Sequence, residues 1–417
     1  MEFNKFKLKE LLQVNPRMTL KKGSKAKKIA MENIKEFQKK IDNFTIEEFK
    51  SGSKFQNGDT LLARITPCLE NGKTAYVDIL EDDEIAFGST EFFVLRPIDN
   101  KLDSQFLYYL FRTKKVREII IKSMTGTSGR QRAQKDSILE YECEVPTIEY
   151  QRKIAIILKN LDDKIEINKK IIANLEELSQ TLFKHWFVGF EFPDKDGKPY
   201  KSNGGEMIDS ELGKIPKGWI VKSLDEIANY INGLAMQKYP ANKEESLPIV
   251  KIKELKNGFT DENSNRCTTE IPEKAKIDNG DIIFSWSATL IVKMWAGGKA
   301  GLNQHLFKVT SEAFPKWFYY LWTKRYIEYF INIANDKATT MGHINRKHLS
   351  HAKIVLPTQL QLENFDKIFH NLLEKQLNTE EEIKRLIDVR DTLLPKLMSG
   401  ELEIPDDIEV NIDELSI

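Results

Sequence analysis

The feature that most constrains this chain is that it repeats itself. Pro146-Thr147 recurs as Pro357-Thr358, an offset of 211, and the same offset carries Tyr108-Tyr109-Leu110 to Tyr319-Tyr320-Leu321 and Gly189 to Gly400. Upstream, Gly58-Asp59 with Thr60-Leu61-Leu62 matches Gly280-Asp281 with Ile282-Ile283-Phe284 at an offset of 222, so an eleven-residue length difference lies inside the domain. Half of the 417 residues is close to that period, and the duplication therefore accounts for nearly the whole chain. Self-similarity at a fixed period marks repeated structural units.

Each copy ends in a helix with readable borders. The first starts after Pro146 on Thr147, an N-cap type, and runs to Gly189 without an internal Gly or Pro. The second starts at Thr358, with Gln361 completing a capping box. Ile154, Leu158, Leu161, Ile165, Asn168, Ile172, Leu175, Ser179, Leu182 and Trp186 alternate spacings of four and three, the period of a coiled-coil seam. The equivalent stripe in the second helix is Phe365, Phe369, Leu372, Gln376, Thr379, Ile383, Leu386, Arg390, Leu393 and Leu397. A helix of about 40 residues is roughly 60 Å long, more than a small domain is wide. Two such seams bury themselves most simply against each other, so an antiparallel two-helix arm is expected. Pro395 should end or kink the second helix early, because it lacks an amide donor and clashes with the preceding turn.

Ahead of the helices, both halves read as mixed α and β. Thr60 to Ile65, Ile85 to Phe87, Phe92 to Leu95, Asp281 to Ser285 and His305 to Val309 are strand-like. Gln105 to Ser123 and Lys316 to Asn332 read as helices, and Glu191 to Gly218, rich in Gly, Pro, Asp and Lys, reads as a linker. The expected fold class is α+β. The expected organisation is a domain over 1–146, a long helix over 147–188, a linker over 189–218, a second domain over 219–357, a second helix over 358–399 and an acidic tail over 400–417.

Charge separates the classes of function. Lys plus Arg and Asp plus Glu both number 63, a balance that taken alone argues against nucleic acid. The distribution says otherwise. Arg112 to Lys135 holds eight basic residues and one acid, Glu118, while Lys337 to Lys353 holds no acid. The compensation sits largely in Glu401 to Ile417, with seven acids and no Lys or Arg. No apolar run approaches the roughly 20 residues of a membrane span. Cys68, Cys143 and Cys267 lie far apart, without ligand spacing or a disulfide framework, and Met1 to Lys5 lack the apolar stretch of a signal peptide. A cytoplasmic location is expected.

Catalytic patterns fail on inspection. Gly72-Lys73-Thr74 resembles the end of a phosphate loop, but the glycine required five residues before Gly72 is Pro67. A turn between strands with Lys73 exposed is expected instead. His343, His348 and His351 have no nearby Asp, Glu or Cys to complete a metal site, and read as part of a basic surface. Pro193-Asp194 with Lys195 faintly resembles a nuclease motif, yet falls in the expected linker, where nothing rigid would position a metal. There is no nucleophile elbow and no Gly-rich cofactor turn.

Two basic loops remain. Thr125-Gly126-Thr127-Ser128-Gly129-Arg130-Gln131-Arg132 opens on glycine and carries two arginines and a glutamine. Its partner in the second copy is Thr339-Thr340-Met341-Gly342-His343-Ile344-Asn345-Arg346-Lys347. Arg pairs bidentately with guanine and Gln or Asn with adenine, while other basic groups hold phosphates. Loops at matching places with different side chains are what two readers of different DNA sequences require. Arg64, Lys73, Lys135, Ser285, Lys293, Asn303 and Gln304 complete the candidate positions for DNA contact.

With these residues in view, the whole chain resembles the specificity subunits of type I restriction-modification systems. The resemblance rests on Leu62 through Lys73, Gly88-Ser89-Thr90-Glu91-Phe92, Thr125 to Arg132, Trp186-Phe187 through Phe192-Pro193 to Ile215-Pro216-Lys217-Gly218-Trp219, and Leu302 through Lys308. It implies two target-recognition domains held apart by antiparallel helices, each reading one half of a bipartite, asymmetric DNA target, with the arm fixing the spacer. It implies docking of two methyltransferase subunits, which use S-adenosylmethionine, and of motor-nuclease subunits, which use ATP and magnesium, with no catalysis and no cofactor on this chain. The alternatives are a helical scaffold whose recognition domains have lost DNA binding, and a self-contained nuclease or methyltransferase, for which the catalytic residues are missing.

Overall fold

In the computed structural model, residues 3–127, 129–241, 245–336 and 344–405 are described, and the chain divides into two compact units. Unit 1 comprises Met1–Ile165 with Leu386–Ile417, and unit 2 comprises Glu166–Arg385. Each long helix therefore contributes one part to each unit.

In unit 1 the strands are β1 (Phe3–Lys7), β2 (Leu12–Val14), β3 (Lys25–Ile29), β4 (Thr45–Glu48), β5 (Ser53–Phe55), β6 (Thr60–Ala63), β7 (Thr74–Tyr76), β8 (Ala86–Gly88) and β9 (Phe92–Pro97). Then come α1 (Ser104–Arg112), α2 (Lys114–Lys122), α3 (Lys135–Leu139), β10 (Glu142–Pro146) and α4 (Ile148–Phe187). Two four-stranded sheets form, in the orders β2-β9-β6-β7 and β4-β3-β8-β5, and β1 pairs with β10. The first sheet is the middle layer. Leu61, Ala75, Phe92 and Val94 face the second sheet in one cluster with Ile29, Phe55 and Ala86. Leu62, Tyr76, Phe93 and Leu95 belong to the cluster containing α1 and the start of α4. This explains why β6 is buried throughout, with three consecutive apolar residues after Thr60 rather than an alternation: a strand covered on both faces has no solvent side.

Unit 2 repeats that plan. Its elements are β11 (Met207–Ser210), β12 (Gly213–Pro216), β13 (Ile220–Ser223), α5 (Leu224–Ile227), β14 (Asn229–Asn232), β15 (Ser246–Val250), α6 (Ile252–Asn257) and β16 (Arg266–Thr268). They continue with β17 (Lys276–Ile277), β18 (Ile282–Ser285), β19 (Val292–Met294), β20 (Ala300–Leu302) and β21 (Leu306–Thr310). The last are α7 (Lys316–Arg325), α8 (Ile327–Asp336), α9 (Arg346–His351), β22 (Lys353–Leu356) and α10 (Gln359–Ser399). The sheets run β14-β21-β18-β19 and β16-β15-β20-β17, with β13 on β22. Strand for strand this is the order of unit 1. Even the single parallel pairing recurs, β3 with β8 and β15 with β20. The repeat in sequence is a repeat in topology.

The helices pair antiparallel within each unit. In unit 1, Ile154 and Leu158 near the start of α4 share a cluster with Leu394, Leu397 and Met398 at the end of α10. In unit 2, Trp186 late in α4 lies 4.9 Å from Phe365 early in α10, and Gln376 Nε2 donates to Glu176 at 3.2 Å. Of the seam positions, Ile154, Leu158, Ile165, Asn168, Ser179, Trp186, Phe365, Phe369, Gln376, Thr379, Arg390 and Leu397 are buried. Leu161, Ile172, Leu175, Leu182, Leu372, Ile383, Leu386 and Leu393 are half-buried. The buried stripe is wider than a two-per-heptad seam and takes in Asp162, Phe183, Phe187, Leu362, Leu373 and Leu394. Each helix meets both its partner and the domain beside it, which demands the broader apolar face of a globular helix.

Three expectations need correction. Each Tyr-Tyr-Leu segment is two helices, not one. Thr113 separates α1 from α2, donating its hydroxyl to the Leu110 carbonyl at 2.7 Å while the same oxygen accepts from Val116 N at 3.5 Å. Tyr326 marks the corresponding break between α7 and α8. Second, α10 continues through Pro395 to Ser399. Burial of Leu394, Leu397 and Met398 holds the final turn, outweighing the hydrogen bond that proline removes. Third, residues 189–218 are folded. Phe192 stacks on Trp219 at 4.9 Å and on Tyr200 at 4.7 Å, and β11 pairs with β12. Composition hid this, because Gly and Pro shape the backbone while a few aromatics anchor it. Residues 406–417 of the acidic tail lie outside the described residues. No helix among the described residues is long and apolar enough to cross a membrane.

Candidate nucleic-acid interface

In unit 1 three chain segments converge where β6 ends. Arg64 follows β6 directly, Glu91 immediately precedes β9, and the loop from Thr125 to Arg132 closes over both. That loop is a miniature hairpin, with Thr125 and Arg132 exchanging backbone hydrogen bonds of 3.0 and 2.9 Å. Gly126 sits at φ +128°, and a side chain there would press to 3.0 Å on the Arg130 carbonyl, so the opening glycine is needed for the turn. Ala133 N donates to the Arg64 carbonyl at 2.8 Å, and Thr66 N donates to the Gln131 carbonyl at 3.0 Å. Gln131 N in turn donates to Thr66 Oγ1 at 3.1 Å. The loop is mounted on the end of β6 by its backbone, which leaves its side chains available.

Those side chains divide. Thr127, Arg130 and Lys135 are exposed, and Gln131 is half-buried. Arg132 is held: its Nε and Nη2 donate to the Glu91 carboxylate at 3.0 and 2.7 Å. Arg64 reaches the same carboxylate at 3.3 Å while lying over the Phe93 ring at 5.4 Å. The Arg132 hydrogen bonds, joined by those of Arg64, hold the Glu91 carboxyl below the usual range against its partial desolvation. Lys73 departs from expectation. It lies between β6 and β7 as a turn residue, but is half-buried with Nζ on the Met31 carbonyl at 2.9 Å. Ser128 lies outside the described residues.

Unit 2 builds the same place from other residues. Ile344 N donates to the Trp286 carbonyl at 3.1 Å, the counterpart of Ala133 on Arg64. Trp286 follows β18 as Arg64 follows β6, and His305 precedes β21 as Glu91 precedes β9. Their rings lie 5.8 Å apart, and His305 Nδ1 is 3.2 Å from Ser287 Oγ. Lys347 and Arg346 are exposed on α9, Arg346 donating to the Tyr230 carbonyl at 3.3 Å, and Asn345 caps that helix by accepting from His348 N at 3.4 Å. Gln304 is half-buried beside His305. Three candidates do not present themselves to a ligand. Ser285 is fully buried with its hydroxyl on the Ser287 carbonyl, Asn303 is buried and accepts from His305 N, and Lys293 is half-buried with Nζ on the Lys256 carbonyl. Ser285 closes β18, which is buried along its whole length, whereas Lys293 lies on β19 and Asn303 just past β20. His343 lies outside the described residues.

Glu91, Trp286 and His305 are not among the candidate contact positions, although Glu91 and His305 fall in stretches that carry the family resemblance. The offset of 222 already pairs Trp286 with Arg64, whereas Glu91 and His305 stand 214 apart and pair only at the strand ends. Among the described residues no three His, Cys, Asp or Glu side chains gather as metal ligands.

Comparison with known proteins agrees with this organisation. The family model described as type I restriction modification DNA specificity domain matches twice, over residues 1–177 and 216–387. The chain is 31% identical over 309 residues to the type I restriction enzyme MjaIX specificity subunit of Methanocaldococcus jannaschii, covering 72% of this chain and 69% of that one. It is 27% identical to the HindI specificity subunit of Haemophilus influenzae, covering 83% and 87%. A crystal structure of the type I S subunit from M. genitalium aligns over 95% of this chain and 96% of its own, with a TM-score of 0.53 at 17% identity, a likeness of fold. Two matches to one domain model, laid on two units with one strand order, leave a single assignment: the chain belongs to the family of DNA specificity subunits of type I restriction-modification systems.

Proposed function

We propose that each unit reads one half of a bipartite, asymmetric DNA target, that the paired helices set the spacer between the halves, and that the helices dock methyltransferase and motor-nuclease subunits. In this reading, S-adenosylmethionine, ATP and magnesium serve those partners, and the assembly works in the cytoplasm. The observation that carries it is the equivalent loop mount, at the end of β6 and of β18, bearing Arg64, Glu91 and Arg132 in one copy and Trp286 and His305 in the other. One scaffold with two chemistries suits two different half-sites.

The test is methylated-base sequencing of DNA from cells carrying the chain with its methyltransferase partner. Replacing Arg130 and Arg132 together with alanine is expected to erase the sequence preference of one half-site and spare the other. A good bidentate base contact carries about 1–3 kcal/mol of discrimination, so the loss should be on the order of tenfold or more. Unchanged site usage would refute the assignment of this loop.

A further inference from the structure

Glu91 stands out within unit 1 because one carboxylate serves two guanidinium groups. Arg132 spends Nε and Nη2 on it, and Arg64 adds a third hydrogen bond. The carboxylate side chain is only 23% exposed, while Arg132 remains 41% and Arg64 32% exposed. The acid is the least exposed of the three and Arg132 the most. A bidentate pair consumes one edge of a planar guanidinium and leaves the rest of its fork free in a fixed plane. An unrestrained arginine samples many rotamers and must lose that freedom on binding. A guanidinium already locked by a neighbouring acid is preorganised for a planar acceptor pair such as guanine O6 and N7.

We infer that Glu91 is a positioning residue for unit 1, fixing Arg132 and Arg64 in the orientation through which this unit discriminates bases. The inference rests on the reading of unit 1 as one of two half-site readers. Glu91 contacts no DNA in this scheme; it acts through the arginines. It also neutralises one of their two charges, which restrains attachment to phosphates of any sequence. Among the described residues unit 2 places no carboxylate at the equivalent position, where His305 meets Trp286 and Ser287 instead. His305 carries no carboxylate, so a clamp of this kind is not built at that position.

The experiment uses the full chain with its methyltransferase partner and compares wild type with Glu91→Gln, which keeps the shape and removes the charge. Methylated-base sequencing reads site usage, and salt titration of binding to a target duplex and a scrambled duplex reads the charge. Glu91→Gln is expected to lower base discrimination in one half-site about tenfold or more. The other half-site should keep its preference, which shows that the variant is folded. Binding to the scrambled duplex should strengthen, with its salt slope steeper by up to about one, the share of one released charge. Undiminished discrimination in both half-sites would overturn the clamp. So would parallel loss from both, since Glu91 would then be supporting the fold rather than one reader. A wild-type chain without sequence preference in either half would instead overturn the functional reading itself, and the clamp with it.

Discussion

Replacing Asp162 with alanine is expected to destabilise unit 1 by about 3 kcal/mol, the lower end of the cost of breaking a buried ion pair. Asp162 on α4 accepts from Arg390 on α10 at 2.6 Å and from the Tyr109 hydroxyl of α1 at 2.6 Å. Removing it leaves a guanidinium that is only 6% exposed and a buried phenol, both short of an acceptor. The half-exposed Asp391, which also takes Arg390 at 2.8 Å, keeps the cost from rising further. The double change Asp162→Leu with Arg390→Met, which removes both charges and leaves only the Tyr109 hydroxyl without its acceptor, is expected to cost clearly less than the single one. Amide exchange in α1 and β6 is the measurement, because all six tryptophans of the chain lie in unit 2 and are silent here. A double variant as damaged as the single one would show that the pair itself, rather than an orphaned charge, is what matters.

The same contact sets a pH dependence. Burial pushes the Asp162 carboxyl up, but the charges of Arg390, Arg112 and Lys39 overcome it and leave it below the usual range. A depressed carboxyl contributes stability that is fully present above the unfolded value, about 3.9, and is lost as pH falls through the folded value. The stability gap between wild type and Asp162→Asn should therefore be widest near neutrality and close in acid. A gap independent of pH would contradict the assignment.

Phe187→Ala is expected to cost unit 2 about 3–5 kcal/mol, the range for deleting a fully buried aromatic ring. Phe187 is 1% exposed and lies within 5.5 to 6.3 Å, ring to ring, of Phe365, Trp219, Trp317, Phe318, Phe369 and Trp322. It ties the end of α4 to α7, to α10 and to the segment after the helix. Tryptophan fluorescence follows this transition directly. Leu178→Ala, on the exposed face of the same helix, should stay within about 0.5 kcal/mol and serves as the control. A small effect at Phe187 would mean that the aromatic cluster relaxes into the cavity.

The two variants also show where a heptad reading of the helices stops. Every seam position is at least half-buried, yet Asp162 and Phe187 lie beside the seam and not on it. Periodicity counts one partner per helix. These residues are buried by a second one, α1 against Asp162 and α7 against Phe187, which no spacing within the helix reports. The segment 189–218 packs for a related reason that composition does not report. Its Gly and Pro content describes backbone geometry, whereas Phe192 and Trp219 decide that it packs.

For the two basic loops, residue type and place are legible in the sequence and pairing is not. The duplication, the helix borders, the strand runs and two unlike basic loops at matching positions are local or periodic properties, and such properties survive in a linear string. That Arg132 is clamped by Glu91 while Arg130 stands free, and that Trp286 and His305 occupy the same place in the other copy, depends on segments dozens of residues apart meeting at the end of one strand. Side-chain charge is written in the chain; whether that charge is free, shared or covered is a matter of distance and solvent access. Those arise only when the sheets close, and they separate an arginine that stands exposed to solvent from one whose guanidinium is fixed by an acid.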